Sequence, residues 1–232
     1  MISLRPYQEI AIQNLRQAYA DGHKKVILCA PTGAGKTVMF SAIAQGAIQK
    51  GKRVMILTDR GELLWQAGGA LNNLAIVPEL ITADTTWVNL SQRIFVAMIE
   101  TIYRRCEQRI YSELLNSVDL FIFDECHKRT FDKLFPLLPS HARVLGATAT
   151  PYREGKGTPL TDLYSHMVEA STIPSLISDG YLAKPSYYSV PIDLSGVKTL
   201  EMSIHECRYS RAPCKTTRGG HRIPRQLLLR RI

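Results

Sequence analysis

The stretch "CAPTGAGKT" (29–37) follows the apolar run "KVILCA" (25–30) and opens a segment of apolar and small residues over 37–50. Gly35, Lys36 and Thr37 satisfy the end of the phosphate-loop pattern G-x-x-x-x-G-K-[ST], while Ala30 stands where the first glycine would be. A strand that turns here and passes straight into a helix makes an anion site largely from backbone. Gly33 and Gly35 let successive N–H groups converge, and the positive end of the helix points at the same place. Lys36 has the reach for β- and γ-phosphates, and the Thr37 hydroxyl can hold Mg²⁺. Pro31, Thr32, Gly33, Ala34, Gly35, Lys36 and Thr37 are thus the candidate phosphate-binding set. The alternative, a glycine-rich turn that binds nothing, is disfavoured by the strand before it and the helix after it.

A phosphate loop needs a metal and an activated water, and "FIFDECHK" (121–128) offers both partners. The apolar run "LFIFD" (120–124) reads as a buried strand with Asp124 at its tip, placed to hold Mg²⁺. Glu125 is then the candidate to orient or deprotonate the water. Two adjacent carboxylates raise each other's pKa, so both stay ionised only beside a cation such as Lys36 or the metal. Cys126 and His127 also resemble a metal pair, but zinc would need further ligands at suitable spacing and none stands nearby.

Further short apolar runs, "RVMILT" (53–58), "RIFVAM" (93–98), "RVLGATA" (143–149) and "SYYSVPI" (186–192), alternate with helical patterns over 7–19, 37–50 and 62–74. In the first of these, Ile10, Ile12, Leu15 and Ala18 are expected on one apolar face, and Trp65 is expected on the inner side of the third. Such alternation predicts an α/β fold, a mainly parallel sheet covered by helices on both faces, over residues 1–193. Ligands of such sheets bind at the carboxyl ends of the strands, where the polar clusters of this chain fall.

The chain has 232 residues, 45% of them apolar, enough for one large domain. No apolar run approaches the ~18–20 residues that span a bilayer. "MISLRPYQEIAIQ" lacks the basic segment and apolar block of a secretory signal, and five irregularly spaced cysteines suggest reduced thiols. The expectation is a soluble, cytoplasmic protein with no membrane partner. The net charge of +9 is uneven: residues 201–232 hold eight Lys+Arg against two Asp+Glu. It therefore does not describe a nucleic-acid face of the fold.

The combination resembles the first RecA-like lobe of a superfamily 2 helicase or translocase whose second motif reads D-E-x-H, here DECH. "LRPYQEIAI" (4–12) is similar to the segment ahead of the phosphate loop in the XPB-like and restriction-translocase branches. "APTGAGKT", "TDRGELLWQ" (58–66), "VAMIETI" (96–102), "FDECHK" and "GATATP" (146–151) resemble motifs I, Ia, the following nucleic-acid motif, II and III in order. Met98 and Glu100 depart from the family's commoner wording. "IPSLISDGYLAKP" (173–185) is similar to the stretch that follows motif III.

The resemblance implies ATP with Mg²⁺ as cofactors and nucleic acid, DNA by branch, as partner. It implies that Gln8, supported by Arg5, reads the adenine edge. It implies that His127 bonds towards Thr148 or Thr150 and couples the two sites, and that Thr58, Arg60 and Thr101 meet strand phosphates. Taken as residues alone, Arg60 has the lesser alternative of a solvated loop charge and Thr101 that of a helix cap. Loop hydroxyls and one arginine suit phosphate contact without base readout.

The family hydrolyses ATP between two lobes, the second of which supplies arginines. The residues beyond 193 are too few for another parallel sheet. So weak activity alone, a separate chain carrying the second lobe, a non-catalytic nucleotide-binding remnant and a restriction-type translocase subunit all stay open.

From about Thr199 the periodicity fails and arginine dominates the basic residues. The segment 194–232 reads as a basic disordered arm, a small metal knuckle using His205, Cys207, Cys214 and His221, or out-of-register sequence. The abrupt loss of pattern favours the last. Reading the coding DNA in the other two frames past codon 199 is expected to reveal the later helicase motifs; their absence from both frames counts against a frameshift.

Overall fold

Helix α1 (Pro6–Ala20) leads into strand β1 (Lys25–Cys29), α2 (Lys36–Gln49), β2 (Val54–Thr58), α3 (Gly61–Asn72) and the short β3 (Glu79–Ile81). Then come β4 (Ile94–Met98), α4 (Ile99–Arg105), α5 (Arg109–Ser117), β5 (Leu120–Asp124) and a 3₁₀ helix (Arg129–Leu137). The chain continues through β6 (Arg143–Thr148), α6 (Leu160–Leu163), β7 (His166–Glu169) and α7 (Ile173–Ser178). This computed structural model describes residues 3–73, 75–153 and 159–186. Apart from Ser186, the strand expected over 186–192 lies outside the described residues, as does the tail at 194–232.

All seven strands join one parallel sheet in the order β3-β4-β2-β5-β6-β1-β7. The inner strands alternate between two apolar faces, which is why they read as unbroken apolar runs. Val26, Leu28, Ile56, Val96, Ile122 and Leu145 pack against α1, α2 and α3 through Leu15, Phe40 and Leu64. Ile27, Met55, Leu57, Phe95, Phe121 and Phe123 pack the other way, on Ile102, Leu114, Phe131 and Phe135. The result is a three-layer α/β domain with helices on both faces.

Two packing expectations fail. Ile10 is 56% exposed and Trp65 is 64% exposed. The buried face of α1 is set by Ala11, Ile12, Leu15, Ala18 and Tyr19. At 3.6 residues per turn Ile10 lies about 140° from its centre. The buried face of α3 is Leu64, Ala67, Gly68 and Leu71, and Trp65 lies about 110° from it. Among the described residues no helix is long and apolar enough to cross a membrane.

Candidate active site

Parallel pairing brings the carboxyl ends of β1, β6, β5, β2 and β4 side by side in that order. Cys29 is level with Thr148, and Asp124 with Ala147. Four loops and the start of α4 therefore leave one edge of the sheet together. The phosphate loop and the Thr148–Thr150 turn stand on one side of the acid pair. The end of β2 with Thr58 and Arg60, and the first turn of α4 with Thr101, stand on the other.

Gly33 and Gly35 have φ values of 85° and 77°, the left-handed region that glycine adopts without steric cost. A Cβ on Gly35 would meet Gln8 Nε2 at 2.5 Å, and one on Gly33 would meet Leu182 Cδ2 at 2.8 Å. Ala30, in the place of the first glycine, is fully buried, and its N–H donates to the Thr148 carbonyl at 2.9 Å. The Ala34 carbonyl accepts from Gln8 Nε2 and from the Tyr7 hydroxyl, each at 2.9 Å. The Arg5 backbone N–H donates to Gln8 Oε1 at 3.0 Å. So the buried Gln8 ties the start of α1 to the loop, one end of its amide on each. The Arg5 guanidinium lies 4.7 Å from the centre of the Tyr181 ring, which also packs on Tyr7. Pro31 and Thr32, with Ile173, Ile177 and Leu182, line an open cavity of about 470 Å³ beside the loop.

Asp124 is 9% exposed. Burial first, and the Glu125 charge second, push its carboxyl up to about 6 against the pull of Lys36 and Lys128. Glu125 takes the left-handed conformation at φ 55°, a strained state for a non-glycine residue costing about 1–3 kcal/mol. Its Oε1 lies 3.8 Å from Lys36 Nζ and its Oε2 lies 3.4 Å from His127 Nδ1. His127 Nδ1 also lies 2.8 Å from Thr148 Oγ1. The Thr150 N–H donates to that same oxygen at 3.1 Å, and the Thr148 hydroxyl reaches the Thr150 carbonyl at 3.2 Å. Burial lowers the His127 pKa, against the opposing pull of Glu125. Cys126 does not share a site with it: its thiol is fully buried beside Tyr164, and burial pushes its pKa up to about 12.

The donor set fits a hard divalent cation. A desolvated carboxylate held against a second carboxylate is short of positive charge, and Thr37 adds a hydroxyl on the first turn of α2.

The three candidate nucleic-acid contacts differ. Arg60 is exposed. Thr58 and Thr101 are buried, at 0% and 6%. Thr58 Oγ1 donates to the Arg60 carbonyl at 3.3 Å, and Thr101 sits inside α4 rather than capping it.

Sequence reasoning missed three cations that fix this edge. Arg153 Nη1 and Nη2 grip Asp132 at 2.8 Å each, and Nη2 donates to the Cys126 carbonyl at 3.1 Å. Lys128 Nζ reaches both oxygens of Asp59, at 2.8 and 2.6 Å, and Lys133 pairs with Glu100. The only signal was the charge itself.

A profile of the family described as "Type III restriction enzyme, res subunit" (ResIII) matches residues 1–153. The chain belongs to the ResIII family. A 51.5 kDa protein of a Lactococcus phage (isolate 7-9) is 32% identical over 179 residues, covering 72% of the ResIII chain and 33% of its own. IRC3 of Saccharomyces cerevisiae, a candidate ATP-dependent helicase, is 29% identical over 217 residues, covering 84% and 30%. The chain spans about a third of the length of these two relatives. Among solved structures, the Type ISP restriction-modification enzyme LlaGI, a nuclease-deletion mutant with a DNA substrate mimic, matches with a TM-score of 0.62 at 18% identity. That match covers 78% of the ResIII chain and 21% of LlaGI. The domain is the N-terminal RecA-like lobe of the superfamily 2 type.

The raised pKa of Asp124 has a definite sign. Its folded value lies above its unfolded value, so its stabilising contribution is complete below about pH 4 and lost as pH rises through about 6. Without divalent cations, Asp124→Asn is expected to raise stability above pH 6.5 by on the order of 2 kcal/mol, a Tm gain of several degrees. Below pH 4 the gain is expected to vanish. Thermal melts in chelator from pH 3.5 to 8 check this.

Proposed function

We propose that this ResIII chain is the ATP-binding lobe of an ATP-dependent DNA helicase or translocase. The observation that carries the reading is convergence. Lys36 from the phosphate loop and Glu125 from the end of β5 approach within 3.8 Å, and His127 ties that point to Thr148. In this reading the backbone N–H groups of residues 33–37 receive the phosphates, and Lys36 balances their charge. Thr37 and Asp124 hold Mg²⁺, which supplies further charge neutralisation when bound. Glu125, already oriented by its strained backbone, positions the attacking water. Gln8 and Arg5 flank the nucleotide's base. His127, Thr148 and Thr150 report occupancy to the next loop, and Arg60 contacts the strand's phosphates without reading bases.

A restriction-type translocase is the form best supported, by the ResIII match and by the resemblance to LlaGI. Its DNA binding is expected to be largely independent of sequence and sensitive to salt. Arginines from a second lobe, in the same or another chain, would complete the site. Such an arginine is worth about 10³–10⁵ in rate. Without it the ATP-binding lobe acts as a nucleotide-binding half.

Titration of a fluorescent ATP analogue with Mg²⁺ is expected to saturate, with Lys36→Ala weakening binding at least ~10-fold. Turnover by the chain alone is expected near background. Failure of the wild type to bind overturns the reading. Steady DNA-stimulated turnover abolished by Lys36→Ala overturns the half-site part of it.

A further inference from the structure

The sheet order places β5 between β6 and β2, so the loop after β5 stands between the phosphate-loop side and the nucleic-acid side. His127 points one way, to Thr148. The next residue, Lys128, points the other, to Asp59, which lies between Thr58 and Arg60. Both carboxylate oxygens of Asp59 are engaged, and the two side chains are only 25% and 15% exposed. That geometry sets the pair apart from the solvated ion pair Arg109–Glu113, whose side chains are 93% and 49% exposed.

A pair this shielded is costly to break, so displacement of the Lys128 backbone beyond what the lysine side chain absorbs carries Asp59 with it. The Lys128 carbonyl is itself held by Arg153 Nη2 at 3.4 Å, and Arg153 is locked to Asp132 at the start of the 3₁₀ helix. The loop after the acid pair is therefore held on two sides, by Asp59 and by Arg153.

Resting on the nucleotide-binding reading above, we propose that the Lys128–Asp59 ion pair is the mechanical link between the acid-pair loop and the Arg60 loop. Lys128 is a positioning residue. Its one amine holds Asp59 while its backbone follows Glu125 and His127. Nucleotide binding at Lys36 and the acid pair thereby restrains residues 58–64, which end β2 and start α3 with Arg60 at the helix cap. The coupling is in equilibrium binding terms and so acts in both directions.

Hydrogen–deuterium exchange on the full chain tests this, with and without AMP-PNP and Mg²⁺ at concentrations that saturate each variant. In the wild type, exchange at 58–64 is expected to slow at least ~5-fold, the lower end of the usual range of coupling between sites. Lys128→Met and, separately, Asp59→Asn are expected to abolish that slowing while protection at 33–37 is kept. The double exchange Lys128→Asp with Asp59→Lys is expected to restore it. Protection at 33–37 without any change at 58–64 in the wild type overturns the link and leaves the nucleotide reading standing. Full slowing in either single variant, or no recovery in the exchanged pair, also overturns it. No protection at 33–37 in the wild type overturns the nucleotide reading and this proposal with it.

Discussion

Parallel pairing of β1, β6, β5 and β2 is the constraint on which the rest of this molecule depends. It sends the carboxyl end of every strand to one edge of the sheet, so residues far apart in sequence leave the core as neighbours. The register is tight: Cys29, the last residue before the phosphate loop, is level with Thr148, and Asp124 is level with the residue before it. Backbone bonds then pin the loops to each other. The Ala30 and Cys126 N–H groups donate to the carbonyls of Thr148 and Ala147 at 2.9 and 3.0 Å.

The electrostatics follow from that placement. A strand buried on both faces delivers Asp124 into a desolvated position, and burial outweighs the neighbouring Glu125 in raising its pKa. Lys36 and Lys128 are the cations that act against this. The surroundings of Asp124 are thus short of positive charge, and the neighbouring Glu125 holds a strained backbone conformation. Lys128 serves twice, as one of those compensating charges and as the partner of Asp59.

The inner strands were legible in the sequence to within a residue or so. Burial on both faces leaves no polar position to confuse the pattern, as in "LFIFD", whose five residues are all buried. The two edge strands were missed because their signal is weak: β3 has three residues, and β7 buries only Val168 among His166–Glu169. Ile10 and Trp65 were misplaced because hydropathy names a residue's preference, whereas the helix's angular spacing sets the face it occupies. The glycine-rich turn after β1 and the acid pair after β5 could be placed at strand ends because each is local in sequence. The ion pairs that fix the edge were not. Lys128 and Asp59 are 69 residues apart, Lys133 and Glu100 are 33, and no local pattern joins them.

The central claim is that the edge of the sheet formed by the loops after β1, β5 and β6 is a nucleotide site. The most direct test is a crystal structure of the chain with AMP-PNP and Mg²⁺. The account predicts phosphates within hydrogen-bond distance of the backbone N–H groups of residues 33–37, with the metal bound to Thr37 and, directly or through water, to Asp124. It also predicts Lys36 shifted from Glu125 towards the phosphates. A nucleotide bound elsewhere, or crystals that take up none at saturating concentration, would contradict it.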